Sequence, residues 1–155
     1  MRHKVIEAVR GQYLLDWDGI HGLAHWERVR ENGLRLAGRT GARTDVVELF
    51  AYFHDACRRN DSRDPEHGPR GADLARTLVG SVFDLDPGGL ALLIEACAGH
   101  TRGGTIAEVT VATCWDADRL DLARVGRTPR PDRLCTEAAR DPEVIAWACA
   151  RSLRR

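Results

Sequence analysis

Lysine is almost missing from this chain of 155 residues: Lys4 is the only one, and every other basic residue is arginine. Codon bias accounts for that, and some of the arginines can also grip phosphate with their planar forks. An excess of either charge is missing too, since Lys and Arg together number 23 and Asp and Glu 23. With no global field, nothing steers the chain toward nucleic acid or an anionic membrane. No apolar run is long enough for a signal peptide or a membrane span, so a cytoplasmic protein is expected. The five cysteines, Cys57, Cys97, Cys114, Cys135 and Cys149, are odd in number, scattered and without a C-x-x-C pair. A disulfide framework and a zinc ribbon are therefore disfavoured, and the thiols read as small core residues.

Internal repeats, low-complexity tracts, interdomain linkers and alternating strand patterns are also lacking. What is present is helical periodicity. Hydrophobic residues make up 43% and charged residues 30%, which fits one folded domain over residues 1–155 with its own core.

The periodicity predicts helices over about 2–13, 20–37, 44–57, 66–79, 87–100 and 106–121, the sixth with a possible break, and a last one over 143–153. Thr44 is expected to cap the third helix, Pro87 to open the fifth and Pro142 the last. The polar stretch 58–65 and the glycine-rich stretch 101–104 read as loops. The fold class is therefore all-α, a compact helical bundle of about six or more helices. Val144, Ile145, Trp147 and Ala148 on the last helix can pack inward or form a homodimer. Trp17, Trp26, Trp115 and Trp147 lie at helical positions and read as core rather than as base-stacking platforms, although Trp26 and Trp115 adjoin candidate ligands.

Of the six histidines, His21, His54, His67 and His100 lie beside Asp, Glu or Gly at predicted helix ends or loops, and His25 follows His21 by one helical turn. His21 and His25 are spaced i, i+4, which places them on one helix face. They suit a shared metal, a metal and a substrate, or plain solvent exposure. His54-Asp55 follows the apolar run Phe50-Ala51-Tyr52-Phe53. Burying that pair without partners is costly, and Asp at a helix C-terminus opposes the dipole. A divalent metal resolves the conflict, because imidazole nitrogen and carboxylate oxygen are both good ligands. Asp116-Ala117-Asp118-Arg119-Leu120-Asp121 holds three carboxylates in six residues. One can enter a site and another pair with Arg119 or Arg124, or the run is a solvated acidic turn.

Taken in order, His21-Gly22-Leu23-Ala24-His25-Trp26-Glu27-Arg28-Val29, then Phe53-His54-Asp55, then Asp116 to Asp121, the segments resemble the HD superfamily of metal-dependent phosphohydrolases. The likeness spans about residues 18–125, with Gly22 where the family commonly has Asp. It implies an HD-type fold and His25, His54, Asp55 and Asp118 as primary metal ligands, with Asp118 preferred over Asp116. His67 and His100 resemble the extra histidines of dinuclear members, in which Asp55 would bridge two ions. The family's Gly-Tyr-Pro signature and double His are absent, which argues against cyclic-dinucleotide hydrolysis.

The implied activity is hydrolysis of a phosphate ester or anhydride, a nucleotide being one option, with one or two ions of Mn, Fe, Co, Ni, Zn or Mg. Asp55 and His21 are the expected catalytic residues, His21 as acid to the leaving group because imidazole titrates near neutral pH. Arg58, Arg59, Arg70 and Arg102 are the candidates to clamp the phosphate of a small-molecule substrate, with Arg58, Arg70 and Arg102 foremost. The same ligands would serve a di-iron oxygenase, or a metal- or nucleotide-binding regulatory module without catalysis.

Overall fold

A computed structural model describes residues 1–154. Eight α-helices form it: α1 (Arg2–Gln12), α2 (Leu23–Thr40), α3 (Thr44–Phe53), α4 (His67–Leu78), α5 (Pro87–Gly99), α6 (Val109–Arg119), α7 (Glu137–Arg140) and α8 (Pro142–Ser152). Among the described residues there is no strand, only an isolated bridge between Val79 and Phe83. The all-α expectation holds, and no described helix is long and apolar enough to cross a membrane.

The helices start where local chemistry permits. Pro87 and Pro142 occupy the first turns of α5 and α8, where a missing N–H costs nothing. Asp86 and Asp141 precede them and accept the backbone N–H groups of Gly89 and Glu143. Helix α6 begins at Val109 rather than near Ile106, because the Glu108 carboxylate takes the N–H groups of Thr110 and Val111 and so fixes the start. Thr44 does not cap α3: it is the first helical residue, with Arg43 ahead of it, and Asp45 makes the local contact to Val46 N. Helix α3 also stops at Phe53, four residues earlier than expected, and the chain continues as tight turns through Ala56 and Arg58.

The α2 helix packs against both α3 and α6, and α5 against α3 and α4. Their shared core contains Trp26, Val29, Val46, Phe50, Phe53, Leu93 and Val111, all buried. A second cluster of Leu36, Leu120, Leu134, Val144 and Ala148 seats α8. So part of the apolar face of α8 packs inward, while Trp147 lies between Arg35 and Arg151, whose guanidinium carbons are 4.3 Å and 4.5 Å from its ring centre. Trp26 is wholly buried edge-on to Tyr13 and Trp17, and the Trp115 indole N–H donates to the Ala96 carbonyl at 2.9 Å. Both indoles are core residues. The five thiols are free, with Cys97 and Cys114 buried.

Candidate metal centre

The helix ends converge on Asp55. His25 comes from the first turn of α2, His54 and Asp55 from the turn that ends α3, His67 from the start of α4, His100 from the end of α5, and Asp118 from the last turn of α6. His21 is not on α2 as the i, i+4 spacing suggested. It lies in the turn before that helix, which is closed by Leu23 N donating to the Trp17 carbonyl at 3.0 Å. That turn needs Gly22: a Cβ there would sit 2.1 Å from the Trp17 oxygen, which is why Asp cannot occupy the position in this chain.

The imidazoles are oriented by their outer nitrogens. His54 Nδ1 faces the carbonyls of Phe50 (3.1 Å) and Ala51 (2.9 Å), and His100 Nδ1 faces that of Cys97 (2.8 Å). These carbonyls belong to the last helical turns, where acceptors run short of backbone N–H donors further along the helix. His67 Nδ1 faces the Asp64 carbonyl at 2.5 Å, and His25 Nδ1 faces Asp121 Oδ2 at 2.6 Å. A carbonyl or carboxylate oxygen only accepts, so Nδ1 carries the proton in each ring. In the neutral imidazoles all four Nε2 atoms are then bare lone pairs turned inward.

Those lone pairs meet each other. His25 Nε2 is 3.1 Å from His54 Nε2, and His67 Nε2 is 2.9 Å from His100 Nε2. Carboxylate oxygens complete both groups. Asp55 Oδ2 lies 3.4 Å from His25 Nε2 and 3.5 Å from His54 Nε2, while Asp118 Oδ1 lies 3.2 Å and 3.3 Å from the same two atoms. Asp55 Oδ1 lies 3.0 Å from His67 Nε2 and 3.6 Å from His100 Nε2. Acceptors facing acceptors in a buried site are unfavourable unless a cation lies between them. Two overlapping sets, His25, His54 and Asp55, and Asp55, His67 and His100, have ligand atoms close enough to hold an ion. The residues fit a divalent transition metal, because imidazole nitrogen with carboxylate oxygen is the donor set such ions take.

Without a cation, protons take its place. Burial and Arg124 push the His25 imidazole down, but hydrogen bonds to Asp118, Asp121 and Asp55 outweigh them and raise it to about 9. Burial pushes the carboxyls of Asp55 and Asp118 up, yet the surrounding imidazoles, His54 first, hold both well below the usual carboxylate range.

The remaining predicted residues separate. His21 Nδ1 is 3.4 Å from Asp55 Oδ2, with Nε2 3.2 Å from the Asp61 carbonyl. Arg58 Nε is 3.4 Å from Asp55 Oδ1. Arg59 contributes only its backbone N–H, to Asp64. Arg70 is held by Asp64 Oδ2 and the Cys57 carbonyl, and Arg102 by Glu66 and the Pro65 carbonyl, so neither guanidinium is directed at Asp55. Asp116 turns away from the imidazoles and accepts from Cys135 N, Thr136 N and Thr136 Oγ1.

Sequence reasoning missed the setting of Asp121. Besides His25 it accepts from Arg28 Nε at 2.8 Å and from the Ser152 hydroxyl. Arg124, considered only as an Asp partner, reaches to 3.5 Å of His21 Nδ1 and donates to the Ile20 carbonyl. The signal for Arg28 was its i+3 spacing from His25; nothing local pointed to Ser152.

Fold and site together define a helical, metal-binding domain of HD type. No family model and no curated protein matches the chain. Among solved structures it is similar to a predicted HD superfamily hydrolase from an uncultured Thermotogales bacterium, at 26% identity and a TM-score of 0.73, over 96% of this chain and 84% of that one. The fold is that of the HD-domain superfamily, and within it two His/Asp groups are close enough to hold a metal ion.

Proposed function

We propose that the chain is a metal-dependent phosphohydrolase acting on a phosphate ester or anhydride. The observation that carries this reading is the convergence of four inward-facing imidazole nitrogens and two carboxylates on one buried point. His25, His54, Asp55 and Asp118 would hold one ion, and Asp55, His67 and His100 would hold a second. A divalent ion bound there supplies Lewis acidity, polarising water and neutralising phosphoryl charge near neutral pH.

The chain's own residues supply the rest. Asp118 has the most exposed side chain among the ligands, at 19%, so substrate would approach past it. Arg58, beside Asp55 Oδ1, is placed to bind a phosphoryl oxygen. His21 donates from Nε2 to the Asp61 carbonyl and faces Asp55 with Nδ1, where it can hold a proton. As water adds to phosphorus and the bond to the leaving oxygen breaks, that oxygen takes the proton from His21 Nδ1, and the proton released by the attacking water restores His21.

The test is metal content per chain, followed by a screen of phosphate esters and anhydrides with each metal, for the natural sequence and Asp55→Ala. One or two equivalents of metal and a turnover that both vanish in the variant support the reading. Two equivalents of iron with oxygen consumption and no phosphate release would replace it with a di-iron oxygenase. Retained metal without turnover of any kind would leave a regulatory binding module.

A further inference from the structure

A cleft of about 620 Å³ is lined by Arg102, Arg119, Arg127, Arg130 and Arg133, and among the described residues no Asp or Glu lines it. In a chain whose charges balance at 23 each, that is a local concentration of one sign. Two of the five are compensated from outside the cleft, Arg102 by Glu66 and Arg130 by Asp132. Among the described residues, Arg119, Arg127 and Arg133 have no carboxylate within ion-pair distance. The Arg119 guanidinium donates to the Arg133 carbonyl and lies 5.6 Å from the Trp115 ring centre, which holds it in place. Arg127 and Arg133 are exposed, and no side-chain acceptor in the described residues takes their N–H groups.

Two stretches of the lining follow candidate ligands along the backbone. Arg119 follows Asp118, and Thr101 and Arg102 follow His100, each step being one Cα–Cα spacing of about 3.8 Å. Leu122, another lining residue, opens the short 3-10 turn that follows the end of α6. Three uncompensated guanidiniums in a cleft whose backbone continues from Asp118 and His100 match a ligand carrying further negative charge beyond its reacting phosphate. Guanidinium forks bind phosphate oxygens in pairs, and a volume between about 300 and 1,000 Å³ suits a nucleotide-sized ligand.

We infer that this cleft binds the non-reacting phosphates of a polyphosphorylated substrate, with Arg127 and Arg133 determining specificity. The inference rests on the hydrolase reading for the word substrate, while the cleft's preference for a phosphate chain stands on its own lining. Nucleoside and inorganic polyphosphates share the chemistry recognised.

The test is calorimetric titration of the full, metal-loaded chain with inorganic tripolyphosphate, adenosine triphosphate and orthophosphate, for the natural sequence and for Arg127→Ala/Arg133→Ala. Both residues are exposed, so the variant should fold, and its circular dichroism and metal content should be unchanged. The expected result is at least tenfold weaker tripolyphosphate binding in the variant with orthophosphate binding unaffected. Adenosine triphosphate binding more tightly than tripolyphosphate would assign the cleft to nucleotides, and equal binding to the phosphate chain alone. Unchanged tripolyphosphate affinity in the variant would overturn the inference. So would an equal loss for orthophosphate, which is only non-specific attraction. If the tenfold difference is found and no phosphate compound is turned over, the hydrolase reading fails while the cleft's phosphate-chain preference survives.

Discussion

Asp121 Oδ2 lies 2.6 Å from His25 Nδ1, on the opposite side of the ring from Asp55 and Asp118. That contact fixes the tautomer and aims Nε2 at the centre. Carboxylates in this position orient a metal-binding imidazole and raise its basicity. Asp121→Asn keeps a hydrogen-bond acceptor but removes the charge. Metal affinity should fall by roughly 10–100-fold, as for other outer-shell partners. Competition with a chromophoric chelator measures it. Unchanged affinity would reduce Asp121 to a packing partner of Arg28 and Ser152.

Asp116 gives the opposite expectation, five residues earlier. Its carboxylate accepts from two backbone N–H groups and the Thr136 hydroxyl, and so holds the entry to α7. Asp116→Ala leaves those donors without an acceptor, at a cost of about 1–3 kcal/mol. Urea unfolding should show that loss, while metal stoichiometry stays as in the natural sequence. Loss of metal without loss of stability would exchange the roles of the two carboxylates.

The contrast between Asp116, Asp118 and Asp121 shows what the sequence can and cannot reveal. That a carboxylate from this run enters a site follows from its density of charge beside Cys114-Trp115. Which one does so depends on how α6 is rotated against α2 and α3, a tertiary fact. The helices opened by Pro87 and Pro142 were legible because proline signals are local. Helix α7 was not, since four residues show no period. His21 was placed on a helix because its spacing to His25 is helical, yet the turn through Trp17 and Gly22 delivers it to Asp55 by another route. Arg70 and Arg102 adjoin ligand histidines in sequence, but Asp64 and Glu66 hold their guanidiniums. Sequence neighbours of a ligand need not share its direction, and arginine takes whichever carboxylate the fold brings near.

Helix α4 meets α5 closely enough that a Cβ on Gly68 would lie 2.4 Å from the Cys97 carbonyl oxygen and 3.1 Å from His100 Nδ1. The first is rigid backbone, so Gly68→Ala must push the helices apart. That separates His67 from His100, now 2.9 Å apart at Nε2. Overpacking of this kind costs about 1–3 kcal/mol. Metal analysis should show the loss of one equivalent if two bind, with the ion at His25, His54 and Asp118 retained. Two equivalents in the variant would remove His67 and His100 from the ligand set.

The His25 imidazole makes the metal-free chain sensitive to alkali. Its folded pKa, raised to about 9, stands above the ordinary value of 6.5. The stabilisation is therefore complete below about pH 6.5 and is lost as pH rises toward 9. In the presence of chelator, the melting temperature should fall across that window. The buried thiols Cys97 and Cys114, both raised by burial, add to the loss only as the unfolded chain's thiols ionise near 9. Metal-loaded protein should behave differently, because an ion requires the neutral ring and binds better as the proton leaves. Calorimetry at pH 6.5, 7.5 and 8.5 with and without chelator separates the two. Parallel melting curves for the two forms would show that no ion competes with the His25 proton.

His21 touches Asp55 but belongs to neither of the two candidate ligand sets, and this separates catalysis from metal binding. If its Nδ1 delivers the proton to the leaving oxygen, His21→Ala should keep the metal content and lower kcat by about 10²–10⁴-fold. The loss should be smaller for a substrate whose leaving group needs no proton, such as a nitrophenyl phosphate, than for an alkyl phosphate. That difference is what a merely structural histidine would not produce. The Asp61 carbonyl is 3.2 Å from His21 Nε2, so removal of His21 can disturb the loop at 58–65. His21→Gln can keep a polar contact to Asp61 yet cannot act as an acid near neutral pH. A full recovery of activity in His21→Gln would assign the residue to holding that loop, whereas a loss as large as in His21→Ala would leave proton donation as its role.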